Sequence, residues 1–436
     1  MKKLTVIFLC AVLALGSVSA CGKSRADTEK QNNAQAQAEQ EDKTEESKTE
    51  ESKADDSKTE ESQTNGKQDK ENKDNPEETD KEQEKTQEES GERDDAQKNK
   101  EEVKEEQNEK MDMSQDLTMQ VLKQAGTVDY TSLEELNPEP GSHIAVVVKN
   151  TKSAFWQTVK KGMTAAVKDL NEKMGYKGED KVKLSFEGPT DELDVESQIN
   201  TIDAVLAENP SVLCLSAIDM ESCSAQLEEA MGNEIPVVIL DSGVESDLVN
   251  TVCATDNYAA GAVAAKKMAE AMGNKGQIAV MAHAETSKSS QDREKGFTEE
   301  ITKNHPEIQI VNISHENEEH SMAEMAEAVL VLYPEVKGYY CTNEFAANAV
   351  LDVVKTSGKE ITVVGFDAGK KQISAVKEKA ELGTFVQNPY GMGYATVIAG
   401  VRADLGLEND KFINTGYQWI DSTNVNSSEY ANYLYE

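Results

Sequence analysis

His143-Ile-Ala-Val-Val-Val148, then Phe155–Met174 with apolar residues at helical spacing, then Val182-Lys-Leu-Ser-Phe186 form the stretch that decides the fold. An unbroken apolar run reads as a strand buried on both faces. A helix between two such runs carries the chain back, so that the strands lie parallel. The pattern repeats downstream. Ser197–Ala207 reads as a helix, Val212-Leu-Cys-Leu215 as a strand, Cys223–Met231 as a helix and Pro236-Val-Val-Ile-Leu240 as a strand. Val249–Cys253 is a further strand and Tyr258–Met272 a helix.

A second series begins at Gln277-Ile-Ala-Val-Met281. Helices are expected at Arg293–Asn304, Met322–Leu332, Ala346–Thr356, Lys370–Glu378 and Met392–Ala403. The strands between them are expected at Ile308–Ile313, Val336–Cys341, Ile361–Val364 and Thr384–Gln387. Such alternation calls for parallel sheets covered by helices. The expected fold class is α/β, with two doubly wound lobes whose strand ends face one cleft. In sheets of this kind ligands bind beyond the carboxyl ends of the strands.

Upstream of the body the texture differs. Residues 116–140 are transitional, with Leu117, Met119, Val121 and Leu122 suited to a short helix. Residues 22–115 hold 32 acidic and 17 basic residues, and no Phe, Trp or Tyr occurs between 22 and 129. Few apolar groups and many charges cannot offset the entropy of ordering, so residues 21–115 are expected to form a disordered, self-repelling spacer. Pentads such as Thr44-Glu-Glu-Ser-Lys48 and Thr49-Glu-Glu-Ser-Lys53 repeat there with a period that suits neither a coiled coil nor a solenoid.

The first residues point to export. Lys2 and Lys3 precede the apolar residues 4–15, which are too few to span a bilayer and suit a signal-peptide core. The following Val18-Ser-Ala-Cys21 resembles a bacterial lipobox. The resemblance implies a signal peptide of residues 1–20 and lipid attachment at Cys21, with acyl chains that each add about 0.8 kcal/mol of membrane affinity per CH₂. The protein is then expected at the cell membrane, lipid-anchored on its extracytoplasmic face.

The whole chain of 436 residues carries a net charge of −37, from 45 basic and 82 acidic residues. That excludes a general affinity for nucleic-acid backbones. Cys214, Cys223, Cys253 and Cys341 lack the paired spacing of zinc or redox sites. No metal site is expected. No GxSxG elbow, HExxH or P-loop occurs, so no enzyme activity and no cofactor are expected.

Several motifs of the body fall in a fixed order: Ser153-Ala-Phe155-Trp156, Pro236-Val-Val-Ile-Leu-Asp241, Ala254-Thr-Asp256-Asn257 and Arg293-Glu-Lys-Gly296-Phe297. Asn343-Glu344, Val364-Gly-Phe-Asp367 and Gln387-Asn-Pro389 follow. Together they resemble a type 1 periplasmic-binding protein of the ribose-binding branch, over about 141–436. The resemblance implies a three-strand hinge, with crossovers near 254–257, 387–390 and 418–421. It divides the body into 141–254 plus 389–418 and 255–388 plus 419–436. It also implies a sugar or polyol ligand, because aromatic rings cover apolar sugar faces while carboxylates and amides pair with hydroxyls.

Carried over motif by motif, Phe155 and Trp156 are expected to stack on the ligand. Asp241, Asn343, Asp367 and Gln387 are expected to bond its hydroxyls, with Ser153 and Ser216 at the pocket edge. The ribose pattern has Arg after the strand-end Asp, where Ser242 stands, and a second Arg where Gln291 stands. Gln291 is carried as a ligand residue in its place, and plain ribose specificity is in doubt. Arg293 is assigned to a structural ion pair, Asn257 to capping the following helix, and His283, His315 and His320 to the surface. The expected function is a monomeric solute-binding lipoprotein that delivers its ligand to an ABC permease. The alternative is a sensor subunit presenting ligand to a membrane histidine kinase or chemoreceptor.

Overall fold

The computed structural model describes residues 117–435. The expected signal peptide, the expected lipid-bearing Cys21 and the expected spacer lie outside the described residues.

The apolar runs become two sheets of six strands. In the first sheet, β1 (His143–Val147), β2 (Lys183–Glu187), β3 (Val212–Leu215), β4 (Val237–Leu240), β5 (Thr251–Ala254) and β11 (Phe412–Asn414) take the order β11-β5-β4-β3-β1-β2. In the second, β6 (Gly276–Ala282), β7 (Ile308–His315), β8 (Val336–Cys341), β9 (Thr362–Phe366), β10 (Gly383–Gln387) and β12 (Tyr417–Asp421) take the order β12-β10-β9-β8-β6-β7. The pairings are parallel except that between β10 and β12. The strand order is the same in both sheets, so the expected likeness of the two lobes is seen directly.

The helices that cover the first sheet are α1 (Ala154–Met174), α2 (Val195–Leu206) and α3 (Ser224–Gly232). Those of the second are α4 (Asn257–Ala271), α5 (Lys288–Asn304), α6 (Met322–Leu332), α7 (Glu344–Ser357) and α8 (Lys370–Lys377). After β10 the chain returns, and α9 (Pro389–Asp404) packs on α1 and the first sheet. Each lobe has one very close helix crossing made possible by glycine. A Cβ on Gly393 of α9 would sit 2.1 Å from the Val159 carbonyl oxygen, and one on Gly296 of α5 would sit 2.0 Å from that of Tyr258.

The chain passes between lobes at 255–256, at Asn388 and at 415–416. The first two passages fall where the motifs put them. The third comes earlier than the expected 418–421, because Tyr417–Asp421 is a full strand of the second sheet, bonded to β10. β11 and β12 were not among the expected strands.

Of the expected transitional segment 116–140, the described residues 117–140 are more than a transition. Leu122, Tyr130 and Leu136 are fully buried in the apolar cluster that also holds Ile413, Ile420, Tyr433 and Tyr435. The segment also touches two interlobe passages: Asn388 donates to the Thr118 carbonyl (3.0 Å), and the Asn414 N–H donates to that of Ala125 (3.2 Å). The Asp410 carboxylate anchors it, accepting from the N–H groups of Thr127 (2.9 Å) and Val128 (3.2 Å) and from the hydroxyls of Thr127 (2.8 Å) and Tyr130 (3.1 Å). Asp410→Ala is therefore expected to cost about 2 kcal/mol, read as a lower midpoint in urea unfolding with the slope unchanged. An unchanged midpoint would mean that the segment is not tied down there.

The four cysteines of the body are free thiols, all buried. Burial pushes Cys223 up to about 11. They behave as small apolar side chains.

Candidate functional site

Strand ends of both sheets open on a cleft between the lobes. It is lined by Lys149, Ser153, Phe155, Trp156, Glu192, Asp241, His283, Ser289, Ser290, Arg293, Thr342, Asn343, Glu344, Phe345, Asp367 and Gln387. The cleft is nearly shut and leaves about 50 Å³. Across it Lys149 donates to Ser287 (3.2 Å), and the Met220 N–H donates to the Thr286 carbonyl (3.1 Å). A ligand of sugar size therefore reaches the cleft only when the lobes part. A larger groove of about 1280 Å³ lies at the opposite, amino-terminal ends of β6, β8 and β9, bordered by Gly276, Lys337 and Thr362. It is the wrong end of the sheet for ligand chemistry, and the converging acids, amides and aromatics are all at the cleft.

Asp241 and Asp367 hold equivalent places, directly after β4 (ending at Leu240) and directly after β9 (ending at Phe366). Both have left-handed backbone, with φ of 59° and 78°. Aspartate tolerates that region better than most residues, at a cost of about 1 kcal/mol. The adjacent strand holds each turn: the Asp241 N–H donates to the Cys253 carbonyl (3.0 Å) and the Asp367 N–H to that of Phe385 (2.7 Å). The same strained turn thus aims one carboxylate into the cleft from each lobe.

Burial pushes the Asp241 carboxyl up to about 6, although Lys149 and Arg293 pull it down. Burial, and then the neighbouring Asp367, push Glu344 up to about 7. Asp367 accepts from the Glu344 N–H (3.2 Å) and from the Gln387 side chain (2.8 Å). Gln387 in turn accepts from the Thr255 hydroxyl (2.9 Å). Its amide is therefore committed to protein partners, and it ties two interlobe passages together while fixing Asp367.

Asn343 caps α7 by accepting from the Ala346 N–H (2.9 Å), which leaves its NH₂ for the cleft. Ser153 caps α1 by accepting from Trp156 N–H (3.4 Å). Phe155 and Trp156 meet edge to face, with ring centroids 5.0 Å apart, and Tyr435 closes on the other side of Phe155 at 5.8 Å. The Tyr435 hydroxyl accepts from the Ala368 N–H of the second lobe (3.0 Å). Phe345 stands at the rim, partly exposed.

Eight of the nine expected residues lie in or against the cleft. Ser216 is fully buried behind it, 3.4 Å from Asp241. Gln291 is a correction: it is off the cleft, donating to the Glu285 carbonyl (2.8 Å) on an exposed stretch. The buried stripe of α5 runs through Ser289, Ser290, Arg293, Gly296 and Phe297, and residue 291 falls off it.

Arg293 is on that stripe and is a cleft residue, not part of a structural ion pair. Its guanidinium stacks on Phe366 (3.6 Å to the ring centre) and donates to Asn257 (2.8 Å) and to the Thr342 carbonyl (2.7 Å). Asn257 therefore steadies Arg293, and Asp256 is the helix cap, accepting from the Ala259 N–H (2.9 Å). His283 is buried in the cleft wall, where the sequence placed it on the surface. Lys149, Glu192 and Glu344 were also missed. Charged residues on loops read as solvated, and nothing local shows that the other lobe covers them.

Comparison with known proteins places this arrangement. Residues 144–403 match the family described as periplasmic binding protein domain. The ribose import binding protein of Bacillus subtilis (strain 168) is 24% identical over 201 residues, 46% of this chain and 65% of that protein. The D-allose-binding periplasmic protein of Escherichia coli (strain K12) is 25% identical over 260 residues, 57% of this chain and 80% of that protein. An ABC transporter solute binding protein from Agrobacterium vitis, solved with bound D-fucose, is 30% identical with a TM-score of 0.61. The match covers 67% of this chain and 100% of that one.

Proposed function

The chain belongs to the periplasmic binding protein domain family, and from that premise we propose that it captures a sugar or related polyol between its lobes and delivers it to an ABC importer. The observation that carries this reading is the pair of equivalent carboxylates, Asp241 and Asp367, aimed into one cleft beside Phe155 and Trp156. The relatives that bind ribose, allose and fucose support it.

In this reading the aromatic pair covers the apolar face of the ring. Asp241, Asn343, Asp367 and Arg293 bond hydroxyls, while Gln387, Ser153 and Ser216 support them. The lobes are taken as 141–254 with 389–414 and 255–388 with 417–421. They close by bending at the three passages, and the closed form docks on the permease. We assign the chain to the extracytoplasmic face as a monomer, anchored through lipid on Cys21 and held off the membrane by the acidic stretch to 115.

Trp156 provides the test. Titration of the chain with D-allose, D-ribose and D-arabinose is expected to change its indole fluorescence saturably with at least one sugar. Trp156→Phe is expected to lose that signal while retaining binding. A saturable signal that survives in Trp156→Phe would place the response at Trp419, which lies on β12 away from the cleft.

A further inference from the structure

We infer that Lys149, Glu192 and His283 form a separate hydroxyl subsite that spans the two lobes; the inference rests on the sugar-binding reading above. Lys149 follows β1 and Glu192 precedes α2 in the first lobe, whereas His283 follows β6 in the second. All three line the cleft, with side chains 3%, 15% and 4% exposed.

The subsite is held from behind. Glu192 Oε1 accepts from the Trp156 indole N–H (3.1 Å), which leaves Oε2 toward the cleft. Glu316 binds His283 Nδ1, which leaves Nε2. Lys149 Nζ donates once, to Ser287 (3.2 Å), and has two further protons.

The groups that remain face one another across gaps slightly too long to close. Glu192 Oε2 lies 3.6 Å from His283 Nε2 and 3.8 Å from Lys149 Nζ. Neither distance is a hydrogen bond. His283 Nε2 is a buried polar atom with no hydrogen-bond partner among the described residues. Burying such an atom is costly unless something bonds it. An oxygen about 2.8 Å from Glu192 Oε2 fits in either gap at ordinary hydrogen-bonding distance from His283 Nε2 or from Lys149 Nζ.

The donor and acceptor balance selects the kind of oxygen. Lys149 only donates, Glu192 only accepts, and Nε2 does either according to its proton. A hydroxyl both donates and accepts, so it satisfies the set. A carboxylate leaves Glu192 repelled, and an ammonium leaves Lys149 repelled. Because the first lobe supplies two of the groups and the second lobe the third, filling the subsite also favours the closed form.

The test is calorimetry on the whole chain with D-ribose, D-allose, D-arabinose, D-tagatose and xylitol, followed by the monodeoxy analogues of the tightest binder. One deoxy position is expected to bind the unaltered protein about 10- to 100-fold more weakly. Glu192→Gln is expected to weaken the parent sugar by a similar factor, and the same deoxy analogue then to lose nothing further. His283→Asn provides a second variant with the same expectation should Glu192→Gln not fold. If both variants bind the parent sugar as tightly as the unaltered protein, or every deoxy penalty persists in them, the subsite is overturned and the sugar-binding reading stands. If the unaltered protein binds none of the five, that reading is overturned and this one with it.

Discussion

Asp241→Ala is expected to weaken sugar binding at least about 100-fold, with the fold intact. A buried carboxylate bonding two adjacent hydroxyls makes two charge-assisted bonds, each worth about 1.5–3 kcal/mol. Losing both exceeds the 2.7 kcal/mol or so that corresponds to two decades in Kd. The free protein should not suffer in proportion. Burial holds the Asp241 carboxyl up at about 6, so in the unliganded protein at neutral pH the ionised group is a burden. Alanine at a φ of 59° tolerates the left-handed backbone less well than aspartate, which adds up to about 1 kcal/mol of strain. Asp241→Asn, which suits that backbone, separates the two effects: it should melt at or above the parent and still bind poorly. An Asp241→Ala protein that binds sugar normally would mean that the ligand sits elsewhere.

The second large effect is on stability and comes from a residue away from the cleft. Glu381 is 1% exposed and accepts one hydrogen bond, from Gln372 (3.2 Å), while its second oxygen has no partner among the described residues. Burial raises its carboxyl from 4.5 to about 8. A raised acid holds a proton in the folded state that the unfolded chain has already released. Its contribution is therefore intact below about pH 4.5 and declines as pH rises to about 8. At about 1.36 kcal/mol per unit, the loss is on the order of 5 kcal/mol. Glu381→Gln should remove it, so the variant should be more stable than the parent at pH 9 by about that amount and nearly equal to it at pH 4.5. Urea unfolding at the two pH values measures both, and equal midpoints at pH 9 would show that Glu381 is not a buried acid. Asp241 and Glu344 push the parent's profile in the same direction, so some slope should remain in the variant.

The lobes were legible because their inner strands are buried on both faces. Val212–Leu215 and Val237–Leu240 are apolar at every position, as parallel strands between helix layers must be. The strands that escaped are edge strands. Phe412–Asn414 has three residues, and Tyr417–Asp421 mixes aromatic and polar positions that are only half-buried. With β12 unseen, the third interlobe passage was placed too late.

Strand-end position and motif pointed to Asp241, Asn343 and Asp367, and all three line the cleft. They did not reveal Lys149, Glu192 or His283, whose contacts across the cleft leave no local trace in the sequence. Arg293 was readable in principle. Its spacing of three and four residues to Gly296 and Phe297 puts it on the inner stripe of α5, and that periodicity outranks the family position occupied by Gln291.

The central claim is that a neutral sugar or polyol closes the two lobes on Asp241 and Asp367. Calorimetric titration of the chain with a panel of monosaccharides and polyols tests it most directly. At least one member should bind with one-to-one stoichiometry and lose that binding in both Asp241→Ala and Asp367→Ala. Absence of binding across the panel, or binding indifferent to both substitutions, would contradict it.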